Sequence, residues 1–201
     1  MQSEEFFRYT LIAIFVVMLS ISKHYRTRAR RLTGTIPRRQ EGRWLIAVRV
    51  LSGLPPLLSV FVYMIHPDWM NWSQMEVPGA LRWSGAVLGL ASMLLAVWVF
   101  RNLGSNVTET TLTKADHRLV TTGPYRFLRH PLYLVGFIAF TGFALLAANW
   151  FMALCAVLLV LIFRWVIIPR EEAALVEKFG DGYVHYRQRT GALLPVWRLP
   201  N

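Results

Sequence analysis

The feature that most constrains this chain is a series of apolar runs, approximately 6 to 22, 44 to 65, 79 to 100 and 131 to 168, separated by polar connections. A helix needs about 17 to 25 mostly apolar residues to cross the hydrocarbon core of a bilayer. The first three runs are therefore one span each, and the fourth is too long for one span and must fold back. Its polar punctuation is Ala147-Ala148-Asn149, so the break is expected there and the block becomes a tight helical hairpin. The expected fold is an all-α integral membrane protein of about five transmembrane helices with a C-terminal hairpin over 131–168. Composition agrees, since 55% hydrophobic residues and a mean hydropathy of +0.39 are too apolar for an ordinary soluble domain.

The net charge of +11 raises nucleic acid as a partner, but the placement of the basic residues reads as membrane orientation instead. The connection 23–43, the segment 101–130 and the tail from 169 together hold 18 of the 22 Lys and Arg, and the connection 66–78 holds none. These three regions are expected on the cytoplasmic side of a multipass protein, in the manner of a prokaryotic inner membrane, and no nucleic-acid partner is expected. The acidic start Glu4-Glu5 lacks the positive region of a secretory signal, so the first run reads as a retained helix. The single cysteine, Cys155, permits no intramolecular disulfide and reads as a small buried hydrophobe.

Four arginines, 8, 49, 82 and 164, fall within or at the ends of the runs. Arg49 and Arg82 lie close enough to the boundaries for their stems to carry the guanidinium to the headgroups. Arg164 precedes Arg170-Glu171-Glu172 on the same helix and is the one that could face a site.

Two polar clusters flank the hairpin. One runs from His117 through TTGPYRFLRHPLY to Tyr133, and the other from Arg170 through Tyr186. The hairpin leaves at Pro131 and returns at Pro169, which brings the two clusters together. Their residue types suit a cationic, nucleotide-like ligand: tyrosines 125, 133, 183 and 186 offer aromatic faces, His117 and His130 offer switchable donors, and Glu171 and Glu172 offer negative charge. No phosphate-binding glycine fingerprint and no zinc spacing is present, and no metal is required.

The stretch HRLVTTGPYRFLRHPLY (117–133), with Glu171-Glu172 and FGDGYVHY (179–186), resembles the isoprenylcysteine carboxyl methyltransferase family of integral membrane enzymes. By length the chain reads as a single membrane domain whose residues 1–100 form an N-terminal three-helix region, and the resemblance covers roughly 101–195 and implies that this part binds the cofactor. Carried over by position, it implies that His117, Leu119, Val120, Tyr125, His130, Pro131, Tyr133 and Glu171 line a pocket for S-adenosylmethionine. Two departures stand out: no glutamine lies between Arg101 and His117, and Ile167 stands where the family has an arginine one turn before the cofactor glutamate.

The implied reaction is methyl transfer to a hydrophobic or lipid-like acceptor, with a prenylcysteine-type carboxylate as one form of it. A carboxylate nucleophile needs no base; an amine or thiol must first lose a proton, and Glu172 or His130 is then the candidate catalytic group. Arg129 and Arg164 are the candidate acceptor contacts. A phospholipid amine or small thiol acceptor, and a non-catalytic membrane protein retaining the fold, are the alternative readings.

Overall fold

The computed structural model describes residues 4–33, 42–107 and 119–196. Its helices are α1 (Glu4–Thr33), α2 (Arg43–Ile65), α3 (Gly79–Leu103), α4 (Pro131–Leu146), α5 (Trp150–Ile162), α6 (Ile168–Phe179) and α7 (Asp181–Arg189). A π turn, Phe163–Ile167, joins α5 to α6 without a break. Among the described residues, four helices are long and apolar enough to cross a membrane: Glu4–Leu32, Arg43–Ile65, Gly79–Asn106 and the composite Trp150–Phe179. The fifth apolar helix, α4, has only 16 residues and is about 24 Å long. The protein is an all-α multipass membrane protein.

The hairpin breaks at 147–149, and side-chain chemistry makes the turn there. Ala148 takes φ 49°. The Asn149 side chain accepts a hydrogen bond from the Met152 amide at 3.0 Å and so caps α5. Its amide group donates to Ser73 Oγ at 2.7 Å, and the Met75 amide donates to the Ala148 carbonyl at 2.7 Å. The hairpin tip is thus pinned to the connection between α2 and α3.

Two helices run past the ends of their apolar runs. The first run ends near residue 22, yet α1 continues to Thr33. Hydropathy marks where a chain leaves lipid, not where its helix stops, and no proline or glycine interrupts 23–33. The extension packs on the turn after α3, where Ala29 is buried beside Val107 and Phe100 and Tyr25 stacks on Phe100. The hairpin likewise does not end at 168, because Pro169 sits inside a helix that continues to Phe179. Proline removes one helical N–H and crowds the carbonyl four residues back. The π turn just before it supplies the slack, with the Ile168 amide donating to the Phe163 carbonyl five residues away.

The core is a helix-on-helix interface that mixes aromatic side chains with close glycine contacts. One stripe of α1, Phe7, Leu11, Ile14 and Phe15, is buried at the spacing of a helical face, and Val16, Val17 and Leu19 on the other side are exposed, as lipid contact requires. The closest pair is α3 with α4, where Gly85 and Gly142 face each other backbone to backbone.

Arg82 corrects the expectation that its guanidinium reaches the headgroups. It is buried, donates to the Leu146 carbonyl from Nε at 3.0 Å and Nη2 at 2.6 Å, and grips Glu4 with both terminal nitrogens at 2.6 and 2.7 Å. The Phe7 ring lies 3.9 Å from it, and Tyr63 donates to the same Glu4 carboxylate at 2.7 Å. Arg82 thereby caps the end of α4 and ties α1, α2 and α3 to it. Arg8 plays a similar part for α2, donating to the carbonyls of Met64 and Ile65. Arg82→Met is expected to lower stability by about 3 kcal/mol, the lower end for a broken buried pair because the Glu4 side chain is 37% exposed. Thermal unfolding of the purified protein in detergent measures it, and an unshifted midpoint would show that the network contributes nothing.

Candidate active site

The two ends of the hairpin meet as the clusters predicted. His130 precedes α4, Pro131 occupies its first turn, where a missing N–H costs nothing, and Tyr133 follows one turn into the helix. From the facing helix α6 come Glu171 and Glu172. Consecutive residues on a helix point about 100° apart, so the two carboxylates diverge, and the His130 ring sits between them.

Its Nε2 is 3.2 Å from Glu172 Oε1 and its Nδ1 is 3.7 Å from Glu171 Oε2. Tyr133 stacks on the imidazole at 5.5 Å, nearly parallel, and its hydroxyl donates to Glu171 Oε2 at 2.6 Å. Arg129 donates from Nε to the same Glu172 Oε1 at 2.7 Å and from Nη1 to the carbonyls of Arg187 and Thr190. His130 is 5% exposed, so its orientation is fixed by the carboxylates on either side and the ring beneath.

The tail after α7 closes the site. The Arg129 amide donates to the Gly191 carbonyl at 2.8 Å and the His130 amide to the Ala192 carbonyl at 3.0 Å. Tyr186 donates to the Tyr125 carbonyl at 2.7 Å, which holds the 3-10 turn Gly123–Arg126 against α7. Burial pushes the Tyr186 hydroxyl up to about 12, so it remains a donor at any working pH. Gly191 has no room for a side chain, because a Cβ there would run into the Leu194 carbonyl. Gly123, at φ +58°, would likewise collide with Asn102.

Of the candidate cofactor residues, His130, Pro131, Tyr133 and Glu171 stand together at the hairpin ends. Tyr125 is buried beneath them, and burial raises its hydroxyl far above its ordinary range. Leu119 and Val120 lie outside any helix and are half-buried, with Val120 against the cluster that includes Tyr125 and Phe100. His117 lies outside the described residues. Ile167 is fully buried.

Arg129 and Arg164 line a separate cavity of about 400 Å³ with Glu172 and Arg187. Sequence reasoning did not find Arg187, whose helix carries no apolar stripe to orient it, or the tail carbonyls at 190–192, whose role depends on a chain reversal no motif marks. It offered Tyr183 only as an aromatic face. The structure buries that residue to 1% exposure and leaves its hydroxyl as a buried polar group with no hydrogen-bond partner among the described residues. Burial, with the negative charge of Glu172, keeps that hydroxyl protonated.

The phospholipid methyltransferase family model matches residues 80–182, just over half of the chain and all of the α3 to α6 core. Protein-S-isoprenylcysteine O-methyltransferase of Schizosaccharomyces pombe is 40% identical over 81 residues, covering 40% of this chain and 34% of that protein. The Saccharomyces cerevisiae protein of the same name is 30% identical over 146 residues, covering 73% of this chain and 57% of that protein. Methanethiol S-methyltransferase 1 of Bradyrhizobium diazoefficiens is 40% identical over 74 residues, covering 37% of this chain and 25% of that protein. The chain thus spans from a quarter to somewhat over half of the length of these relatives. A solved structure of the eukaryotic intramembrane Ras methyltransferase, isoprenylcysteine carboxyl methyltransferase, shares the fold at a TM-score of 0.54 and 21% identity, over 92% of this chain and 67% of that one. The chain therefore belongs to the phospholipid methyltransferase family and is similar within it to isoprenylcysteine carboxyl methyltransferases.

Proposed function

We propose that this protein is an S-adenosylmethionine-dependent methyltransferase of the membrane that acts on a hydrophobic or lipid-like acceptor, a prenylcysteine-type carboxylate being one such molecule. The observation that carries the reading is the convergence of Glu171, Tyr133 and His130 from opposite ends of the hairpin into one hydrogen-bonded group. These residues fit the cofactor. Carboxylates and an aromatic face suit a positively charged ligand, and the unsatisfied Tyr183 hydroxyl is a buried donor still owed a partner.

When bound, S-adenosylmethionine supplies an electrophilic methyl carbon. The residues of this chain supply position and exclusion of water. Glu171, Tyr133 and His130, with Leu119, Val120, Tyr125, Pro131 and His117, hold the donor. Glu172 holds Arg129 at the cavity on its own side, where the acceptor sits, and faces His130 on the other. Glu172 Oε1 already accepts from Arg129 and faces His130, which suits a positioning residue better than a proton carrier. A carboxylate acceptor needs no proton carrier. A thiol or amine does, and His130 is the group placed to serve.

The site faces the cytoplasm of a prokaryotic inner membrane in this proposal, because the basic residues concentrate on its side. A charged methyl donor then enters from water beneath the tail, and the acceptor enters sideways from the bilayer.

Glu171→Gln is expected to weaken binding of S-adenosylhomocysteine by about one to two decades, the worth of a charge-assisted hydrogen bond, with the fold intact. Calorimetric titration of both proteins measures it, and equal affinities would remove Glu171 from the donor pocket. Labelled methyl transfer to a panel of prenylcysteine, phospholipid amine and small thiol acceptors then identifies the nucleophile. The thiol belongs in the panel because one relative is named for it.

A further inference from the structure

Depth in the bilayer sets what the tail after α7 must touch. Trp69, Trp72 and Trp150 are exposed around the hairpin tip, with Trp72 and Trp150 edge to face at 5.5 Å, and exposed tryptophans of this kind mark a membrane–water boundary. The hydrocarbon core is about 30 Å thick, which a helix crosses in roughly 20 residues. Counted from Trp150 along the composite helix, the opposite boundary falls near Arg170. The helix α4 leaves the same tip with only 16 residues. His130, at its far end, therefore stands about 6 Å short of that boundary.

The tail closes this depression. Leu128 and Gly191 pair in parallel, and the Arg129 and His130 amides donate to the Gly191 and Ala192 carbonyls. The chain after Thr190 thus runs alongside the segment that enters α4 and heads toward the membrane with it. Ala192 shares a cavity with Arg164, Ile168 and Pro169 of the composite helix, which sets the tail at the level of the boundary. There the chain bends, and the Leu194 carbonyl folds back on Gly191, where only a glycine leaves room for it.

The composition of the bend fits that depth. Residues 192–197 read Ala-Leu-Leu-Pro-Val-Trp, with no polar side chain between Gly191 and Arg198. Leu194 is 75% exposed and Val196 47%. Phe127, next to the residue that pairs with Gly191, is exposed as well, and so is Trp165, next to Arg164 on the spanning helix. The apolar surface of the tail therefore continues the lipid-facing wall of the composite helix. An irregular bend is not tolerated facing hydrocarbon, so its backbone stays among the headgroups while its side chains reach the acyl boundary. Pro195 suits such a place because it has no N–H to leave unpaired.

We propose that the bend 191–196 is an interfacial membrane contact: Leu194 and Val196 enter the acyl boundary of the leaflet on the site's side, and phospholipid thereby holds the tail's carbonyls on Arg129 and His130. The occupant is the bilayer and not a second copy of the chain, because the patch lies at the depth of the boundary and continues a surface that lipid covers. The contact does not depend on which ligand the site takes. It seals the polar groups around His130 as long as the apolar side chains of the bend stay in lipid, and loss of those side chains frees the tail.

The test uses the full chain in phosphatidylcholine vesicles. An environment-sensitive fluorophore is attached at L194C, at V196C or, as a control on α6 past the boundary, at E177C, each in a C155A chain. Doxyl groups near the headgroup end of the acyl chains are expected to quench the probes at 194 and 196 about threefold more than the probe at 177, and doxyl groups near the methyl end to quench them less. Quenching no greater at 194 and 196 than at 177 overturns the contact, as does quenching mainly by the deep label. Probes at 194 and 196 that are shielded from both lipid doxyl and aqueous iodide make a second copy the occupant and overturn it too. Hydrogen exchange in the same vesicles reads the hold on the tail. L194N/V196N is expected to speed exchange of the Arg129 and His130 amides about tenfold, and L194I/V196L, which keeps the apolar surface, to leave it unchanged. Unchanged exchange in L194N/V196N overturns the lipid hold, and equally fast exchange in L194I/V196L assigns the effect to packing and overturns it as well.

Discussion

Glu172→Gln is expected to abolish methyl transfer while leaving S-adenosylhomocysteine binding within a few-fold of the unaltered protein, the reverse of Glu171→Gln. The two carboxylates are adjacent in sequence but serve opposite walls of His130. Glu172 is buried, and with it neutral, Arg129 keeps its charge in a pocket where only 12% of its side chain is exposed. Breaking a buried pair by removing one partner costs about 3 to 5 kcal/mol, so a lower unfolding midpoint is part of the expected result. The tail is expected to loosen too, because Arg129 also binds the carbonyls of Arg187 and Thr190. Three measurements separate the effects: thermal unfolding, calorimetric affinity for S-adenosylhomocysteine, and turnover of labelled methyl donor below the variant's unfolding temperature. Normal turnover in a folded Glu172→Gln protein would show that neither the carboxylate charge nor its grip on Arg129 is needed.

Gly142→Val is expected to damage the fold more than any substitution at the site. A Cβ at 142 would lie 2.8 Å from the Gly85 carbonyl and 3.3 Å from the Gly89 amide, and a Cβ at 85 would lie 2.6 Å from the Gly142 carbonyl and 2.9 Å from the Leu146 amide. All four obstacles are backbone, which cannot rotate away as a side chain would. The helices must separate, and Arg82 then loses its contacts with the Leu146 carbonyl. Overpacking of this kind costs about 1 to 3 kcal/mol where side chains can yield and more where they cannot. Gly136→Ala, on the same helix but with nothing within 4 Å of the added Cβ, is the control. It is expected to be neutral or to stabilise by up to ~1 kcal/mol, the helical advantage of alanine. Unfolding temperature and the monodisperse fraction in detergent measure both. A Gly142→Val protein as stable as Gly136→Ala would mean that α3 and α4 do not touch at these glycines.

The sequence by itself determined the all-α membrane fold, the position of the hairpin break and the pairing of the two polar clusters, while the expected five full spans became four and a shorter apolar helix, α4. Apolar run length is imposed by bilayer thickness, Asn149 is the polar residue of the break, and a hairpin must bring its ends together. Those are local or one-dimensional facts. It also nominated His130, Tyr133, Glu171, Glu172, Arg129 and Arg164, because charged and aromatic residues beside a membrane helix stand out against an apolar background. Tertiary structure alone decided how they are shared out. Which carboxylate meets Tyr133 and which meets Arg129 depends on the rotation of α6, and the π turn before Pro169 resets that rotation without leaving a mark in hydropathy. The same holds for Arg82. Its distance from the membrane boundary suggested a guanidinium among headgroups, but Glu4 and the Leu146 carbonyl, 78 and 64 residues away in sequence, offered a charge partner and an uncapped helix end that water could not match inside the bundle. The reach of α1 to Thr33 and the closing of the site by Gly191 and Ala192 belong to the same class. Each depends on contacts between segments far apart in the chain, and composition and periodicity carry no information about those contacts.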